Sequence, residues 1–156
     1  MSNFNEDTNE IDRFEYGPFS KLVVQDAIII IAIYAARIDP SCSEEEIKRI
    51  EGIAERCPAC VEKKKGIFSR INLFVNEMRM VGREKALEIA VEVLSPELRN
   101  TAFELAAEVV IKGNTLSDQK TKILEELVTK ISIEAQFAAT VIERLTNPTL
   151  SHSVTF

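Results

Sequence analysis

Between Ser20 and Thr146 the chain repeats one pattern: apolar residues three or four apart, broken at intervals by Ser, Pro or Gly. That spacing is the helical period. Within that span no sustained alternation marks a half-buried strand, and no Asn-Gly or Asp-Gly hairpin turn is present. Seven helices are predicted, over 20–38, 44–56, 58–81, 83–94, 96–111, 118–130 and 133–146. The first holds the run Ala27–Ala36, apolar on every side. Ten residues are too few to cross a bilayer, which takes roughly 20, so this run reads as a buried central helix. The second is amphipathic, with Ile47, Ile50, Ile53 and Ala54 on one stripe. In the third, Val61, Phe68, Ile71, Phe74, Val75 and Met78 face inward, after Pro58 at its first position and with Gly66 as a breaking point. Gly82 ends it. Ser95-Pro96 opens the fifth helix, Gly113-Asn114 closes it, Ser117 caps the sixth, Ser132 caps the seventh, and Pro148 stops that one.

The expected architecture is therefore all-α: a flexible acidic arm over 1–18, one helical domain over 19–147, and a C-terminal tail over 148–156. A length of 156 residues suits a single domain with its own core. Net charge is −6, but residues 1–16 hold five acids and one base, and the remainder is almost balanced. A nucleic-acid binder shows a basic excess on one face, so no nucleic-acid partner is expected. The locally basic stretch 61–85, with Lys63, Lys64 and Lys65, reads first as a solvated helix face and second as a patch for anionic lipid. The N-terminus lacks the apolar segment of an export signal. With three cysteines, that places the chain in a reducing cytoplasm.

Chemistry concentrates at the corner after the first helix, Ala36-Arg37-Ile38-Asp39-Pro40-Ser41-Cys42-Ser43-Glu44-Glu45-Glu46. Ser43 and Glu46 form a capping box. Asp39, Glu44, Glu45 and Glu46 gather four carboxylates around one tight turn, and hard oxygen ligands of this kind suit a divalent cation, calcium or magnesium ahead of zinc. The loop is not an EF-hand. With Asp39 as position 1, position 6 is Glu44 rather than Gly, and position 12 is Ile50 rather than Glu. The three glutamates also complement the positive end of the second helix, each worth about 0.3–1 kcal/mol, with no ion required.

A rival chemistry lies in Cys57-Pro58-Ala59-Cys60, a CxxC at a helix start, where the dipole favours thiolate. A thiol redox sensor or oxidoreductase built on Cys57 and Cys60 is the alternative reading, although such motifs normally follow a strand. The pairs Glu88/Glu92 and Glu104/Glu108 read as solvent faces, because a di-metal centre would also recruit core histidines and His152 is the sole histidine, in the tail. The stretch around Met78 and Met80 and the phenylalanines at 68, 74, 103 and 137 read as core. No catalytic triad or phosphate loop can be assembled, and no enzyme activity is expected.

The two halves of the chain are alike. At a shift of 74 residues Ser43 falls on Ser117, Ile50 on Leu124, Ile53 on Leu127, Ala54 on Val128, Ala32 on Ala106 and Ala36 on Val110. Each half supplies an apolar helix, a short loop, a serine cap and an amphipathic helix, so helices 1 and 5 are expected at the centre with 2 and 6 outside. An Ala-rich helix, an acidic loop and an acidic helix start, repeated later, resemble the TerB-like family of tellurite-resistance-associated proteins. Asp39 and Glu46 match that family's two carboxylates, with Pro40 in place of its Gly. The second copy keeps Gly113 and Ser117 but has Lys112 in place of the Asp and Lys120 or Gln119 in place of the Glu. The resemblance implies a seven-helix bundle of two repeated hairpin units and a non-enzymatic stress-response accessory module. It further implies protein partners, among them membrane-associated stress-response proteins at the inner face of the membrane, a homodimer as one open arrangement, and a divalent cation at the acidic loop.

Overall fold

A computed structural model describes residues 23–37, 44–56, 67–111 and 115–147. Seven helices are formed among them and no strand: α1 (Val24–Ala36), α2 (Glu44–Glu55), α3 (Ile67–Val81), α4 (Arg83–Val93), α5 (Pro96–Ile111), α6 (Asp118–Ile131) and α7 (Ala135–Thr146). The all-α reading stands. The start proposed for the third helix, with Pro58, Val61 and Gly66, lies outside the described residues.

Helix α1 is the spine of the core. Gln25 to Ala35 are all buried, including the run Ile28-Ile29-Ile30-Ile31. β-Branched residues lose rotamer freedom in a helix, so burial on all sides, rather than intrinsic propensity, holds this segment helical. Around α1 lie α3, α4 and α5, and the α1–α5 pair is the most extensive helix contact among the described residues. Alanines at Ala32 and Ala106, both fully buried, are of the size that lets two backbones approach. Helix α5 is the second hub, packing on α1, α2, α6 and α7. Helix α2 turns Ile47, Ile50, Ile53 and Ala54 into the core, as the stripe predicts, and α3 does the same with Ile71, Phe74, Val75 and Met78. Phe103 is fully buried and Phe137 packs partly buried against the same core. Met80 departs from the expectation. It is 58% exposed, because two residues beyond Met78 is about 200° around the helix.

Turn chemistry decides the connections. One residue, Gly82, joins α3 to α4 with φ +96, a conformation that L side chains rarely adopt. Its N–H reaches the carbonyl of Met78 at 2.8 Å and its carbonyl accepts from Ala86. Ser95 caps α5 through the Leu98 N–H, and Ser117 caps α6 through the Lys120 N–H. Ser132 corrects the sequence reading. It does not open α7 but closes α6, in the left-handed conformation (φ 63, ψ 56), and α7 begins at Ala135. The Ile133 N–H returns to Val128 O at 3.0 Å, a Schellman-type closure. Serine can occupy either helix end, and the apolar Ile133 two residues past Ile131 favours the closure by burying itself beneath it.

Asp26, in the first turn of α1, is the core's one buried carboxylate among the described residues, and the Arg70 guanidinium of α3 grips it with Nε and Nη2 each 2.6 Å from a carboxylate oxygen.

Candidate functional site

The acidic corner starts where α1 ends. Arg37 closes α1 in the left-handed region (φ 59, ψ 32), where a residue with a Cβ is strained by about 1 kcal/mol. Glycine is usual there, but glycine could not make Arg37's other contacts. Its guanidinium pairs with Glu126 of α6 and lies 5.2 Å from the centre of the Tyr34 ring. Arg83 of α4 lies 5.8 Å from the same ring and donates to the Tyr34 carbonyl at 3.3 Å, covering an α1 C-terminal carbonyl.

Tyr34 is the hub of this knot. Its side chain is fully buried, so its hydroxyl needs a partner. It donates to Glu84 Oε2 at 2.8 Å and lies 3.3 Å from Glu126 Oε2. Lys130 of α6 closes the ring of contacts on the other oxygen of Glu84. Three elements are thereby fastened together just ahead of the acidic loop: the end of α1, the start of α4 and the C-terminal half of α6. Burial, then the Glu84 contact, raises the Tyr34 pKa. The hydrogen bond from Lys130, then that from Tyr34, holds the Glu84 carboxyl below its ordinary range. A depressed carboxylate stabilises the fold above its unfolded pKa and loses that contribution as pH falls through the folded value. Melting temperature is therefore expected to drop as pH falls below about 4.5, and Glu84→Gln is expected to flatten that part of the profile while lowering stability at neutral pH. A pH–melting curve for both proteins checks this.

The sequence-derived site residues fall unevenly across the structure. Glu44 and Glu45 lie exposed in the first turn of α2. Glu46 occupies the next position of that helix. Asp39 lies outside the described residues, as do Cys57, Cys60, His152 and Lys63–Lys65. Among the described residues no three His, Cys, Asp or Glu side chains converge as a metal site would require. Glu88 and Glu92 are exposed as expected. Glu104 and Glu108 are not a free solvent face. Arg144 of α7 pairs with Glu104 at 2.8 Å, Arg56 pairs with Glu108, and these four charges line a shallow cleft of about 220 Å³.

The second corner, after α5, carries a contact that sequence spacing does not reveal. Lys120 Nζ donates to the Ile111 carbonyl at 2.7 Å and to the Thr115 carbonyl at 3.0 Å. Its ammonium satisfies the last carbonyl of α5 and stitches the connecting loop to α6. Lys120→Met keeps the aliphatic stem and removes the charge. It is expected to cost about 1 kcal/mol in urea unfolding, the value of one partly buried hydrogen bond.

The Tyr34 knot could not be read from the sequence, since its members are spread over almost a hundred positions. One signal was available: a tyrosine inside an apolar run demands a polar partner for its hydroxyl. Comparison with protein-family models, curated proteins and solved structures yields no match to this chain.

Proposed function

We propose that this chain is a non-enzymatic accessory or interaction module of the TerB-like kind, built from two related helical hairpins, with a divalent cation held at the first helix–helix corner. Asp39 and Glu46 would supply the principal oxygen ligands, helped by Glu44 or Glu45 and loop carbonyls. The observation that carries the reading is Lys120. In the second hairpin its ammonium bridges Ile111 O and Thr115 O. At the shift of 74 residues that relates the halves, Lys120 corresponds to Glu46. One corner thus carries its own positive charge, while the other presents carboxylate at the matching position. A carboxylate cannot hydrogen-bond to carbonyl oxygens, both being acceptors, so a bound cation at the first corner would take the part that the lysine plays at the second.

Further support comes from what the other charged side chains do. The pairs Arg70–Asp26, Arg37–Glu126, Arg56–Glu108, Lys130–Glu84 and Arg144–Glu104 fasten helices to one another. The Tyr34 knot holds Arg37, the cap of α1, two residues ahead of Asp39. No described helix is long and apolar enough to cross a membrane. A cytoplasmic role beside membrane-associated stress-response partners is part of the proposal.

The test is thermal melting with and without calcium, magnesium, manganese and zinc. The parent is expected to gain stability in at least one of the first three, by RT ln(1 + [L]/Kd). Asp39→Ala with Glu46→Ala is expected to lose that gain while melting normally in chelator. An equal response from both proteins removes the cation from the account.

A further inference from the structure

Helices α6 and α7 are joined by only three residues, Ser132-Ile133-Glu134, and both pack on α5, yet they are not among the helix pairs in extensive contact with each other. The reason lies in α7. Toward α6 it offers Ala135, Ala138 and Ala139, side chains too short to fill the space. A groove of about 450 Å³ remains, with Leu116, Leu124, Val128 and Ile142 completing an apolar lining and Thr121, Glu125 and Thr129 as polar members. Leu116 is 39% exposed at its edge. An open apolar trough of this size, flanked by polar groups, marks a place where something docks.

We infer that the occupant is the chain's own segment 148–156, laid back along α7 as an extended strap. Three observations single it out. The first is position: α7 ends at Thr146, and Ile142, one turn earlier, lines the groove. The second is the turn: Asn147-Pro148 follows at once, and Asn-Pro favours turn initiation. The third is pattern: Thr149-Leu150-Ser151-His152-Ser153-Val154-Thr155-Phe156 alternates strictly. In an extended chain Leu150, Val154 and Phe156 then share one side with His152, and four hydroxyl residues share the other. Reach is ample. Eight extended residues span about 26 Å, whereas Ile142 back to Ala135 is about 10 Å along the helix. Tethering at the groove's own rim gives this segment a local concentration that a second copy or a separate peptide cannot match in dilute solution.

The strap puts Leu150 near Ile142 and carries Val154 and Phe156 toward Ala138 and Ala135, with the Ser and Thr hydroxyls facing water. Because the sequence contains no tryptophan, Phe156→Trp supplies a single reporter in the full chain. Its emission is expected to be blue-shifted, with acrylamide quenching several-fold weaker than for a free indole, and unchanged on dilution. Ala139 is an exposed helix position, so Ala139→Glu is expected to keep the helical circular dichroism while returning the indole to free-indole emission and full quenching. Leu116→Asp is the second variant, expected to act in the same way should Ala139→Glu fail to fold. A free indole in the Phe156→Trp protein overturns the inference and leaves the groove to another partner. Shielding that both groove variants leave intact overturns it in favour of docking elsewhere. Shielding lost on dilution overturns it in favour of a second copy of the chain.

Discussion

Arg70→Met is expected to destabilise the fold by about 3 kcal/mol in urea unfolding, the range found when one partner of a buried ion pair is removed. Asp26 has a side chain only 2% exposed, and both of its oxygens are bonded by one guanidinium. Methionine replaces the stem of Arg70 but leaves a carboxylate in an apolar core with no cation. The positive end of α1 offsets part of this, because Asp26 sits in its first turn. The control is Asp26→Asn combined with Arg70→Met, which removes the stranded charge and is expected to recover more than half of the loss. Arg70→Lys is expected to fall between, since a single ammonium cannot reproduce the two-pronged grip. A loss for Arg70→Met no larger than that of an exposed surface pair would show that the core does not depend on this contact.

Phe103→Ala is expected to cost about 4 kcal/mol, from the lost transfer of a fully buried ring and the cavity it leaves. The site is poorly placed to collapse. Helix α5 is held on four sides by α1, α2, α6 and α7, so no single neighbour can move in without breaking another interface. Phe137→Ala gives the contrast, because Phe137 is only partly buried at the edge of the same core and is expected to lose about half as much. Equal losses at the two positions would mean that α5 is not the hub described.

How much of this was legible depends on whether the signal was local. The apolar period placed all seven helices, and the caps Ser95 and Ser117 were readable because a serine cap bonds to a backbone N–H three residues away. Ser132 was misread for the same reason. A serine in a short connector satisfies the local rule at either helix end, and only the burial of Ile133 decides between them. The buried stripe of α2 followed from the period, and the exposure of Met80 shows that apolar residues two apart on an amphipathic helix do not share a face. The polar interior was illegible. Asp26 with Arg70, and Tyr34 with Glu84 and Glu126, join positions 44 to 92 residues apart, and no spacing rule reaches that far. Glu104 and Glu108 looked like a free acidic face because their cations, Arg144 of α7 and Arg56 just past the end of α2, are distant in sequence. At the candidate site the four carboxylates stood out by density alone, and Lys120 by its place in the second copy, whereas its contacts with the Ile111 and Thr115 carbonyls needed coordinates.

The first corner is proposed to take a cation where the second carries Lys120. The most direct measurement is a manganese titration of the 15N-labelled chain followed by amide line broadening. Broadening is expected at substoichiometric manganese confined to residues around 38–46, with the amides around 112–120 sharp and with the Asp39→Ala, Glu46→Ala protein unaffected. Broadening spread evenly over exposed acids such as Glu88 and Glu92, or equal at both corners, would contradict it.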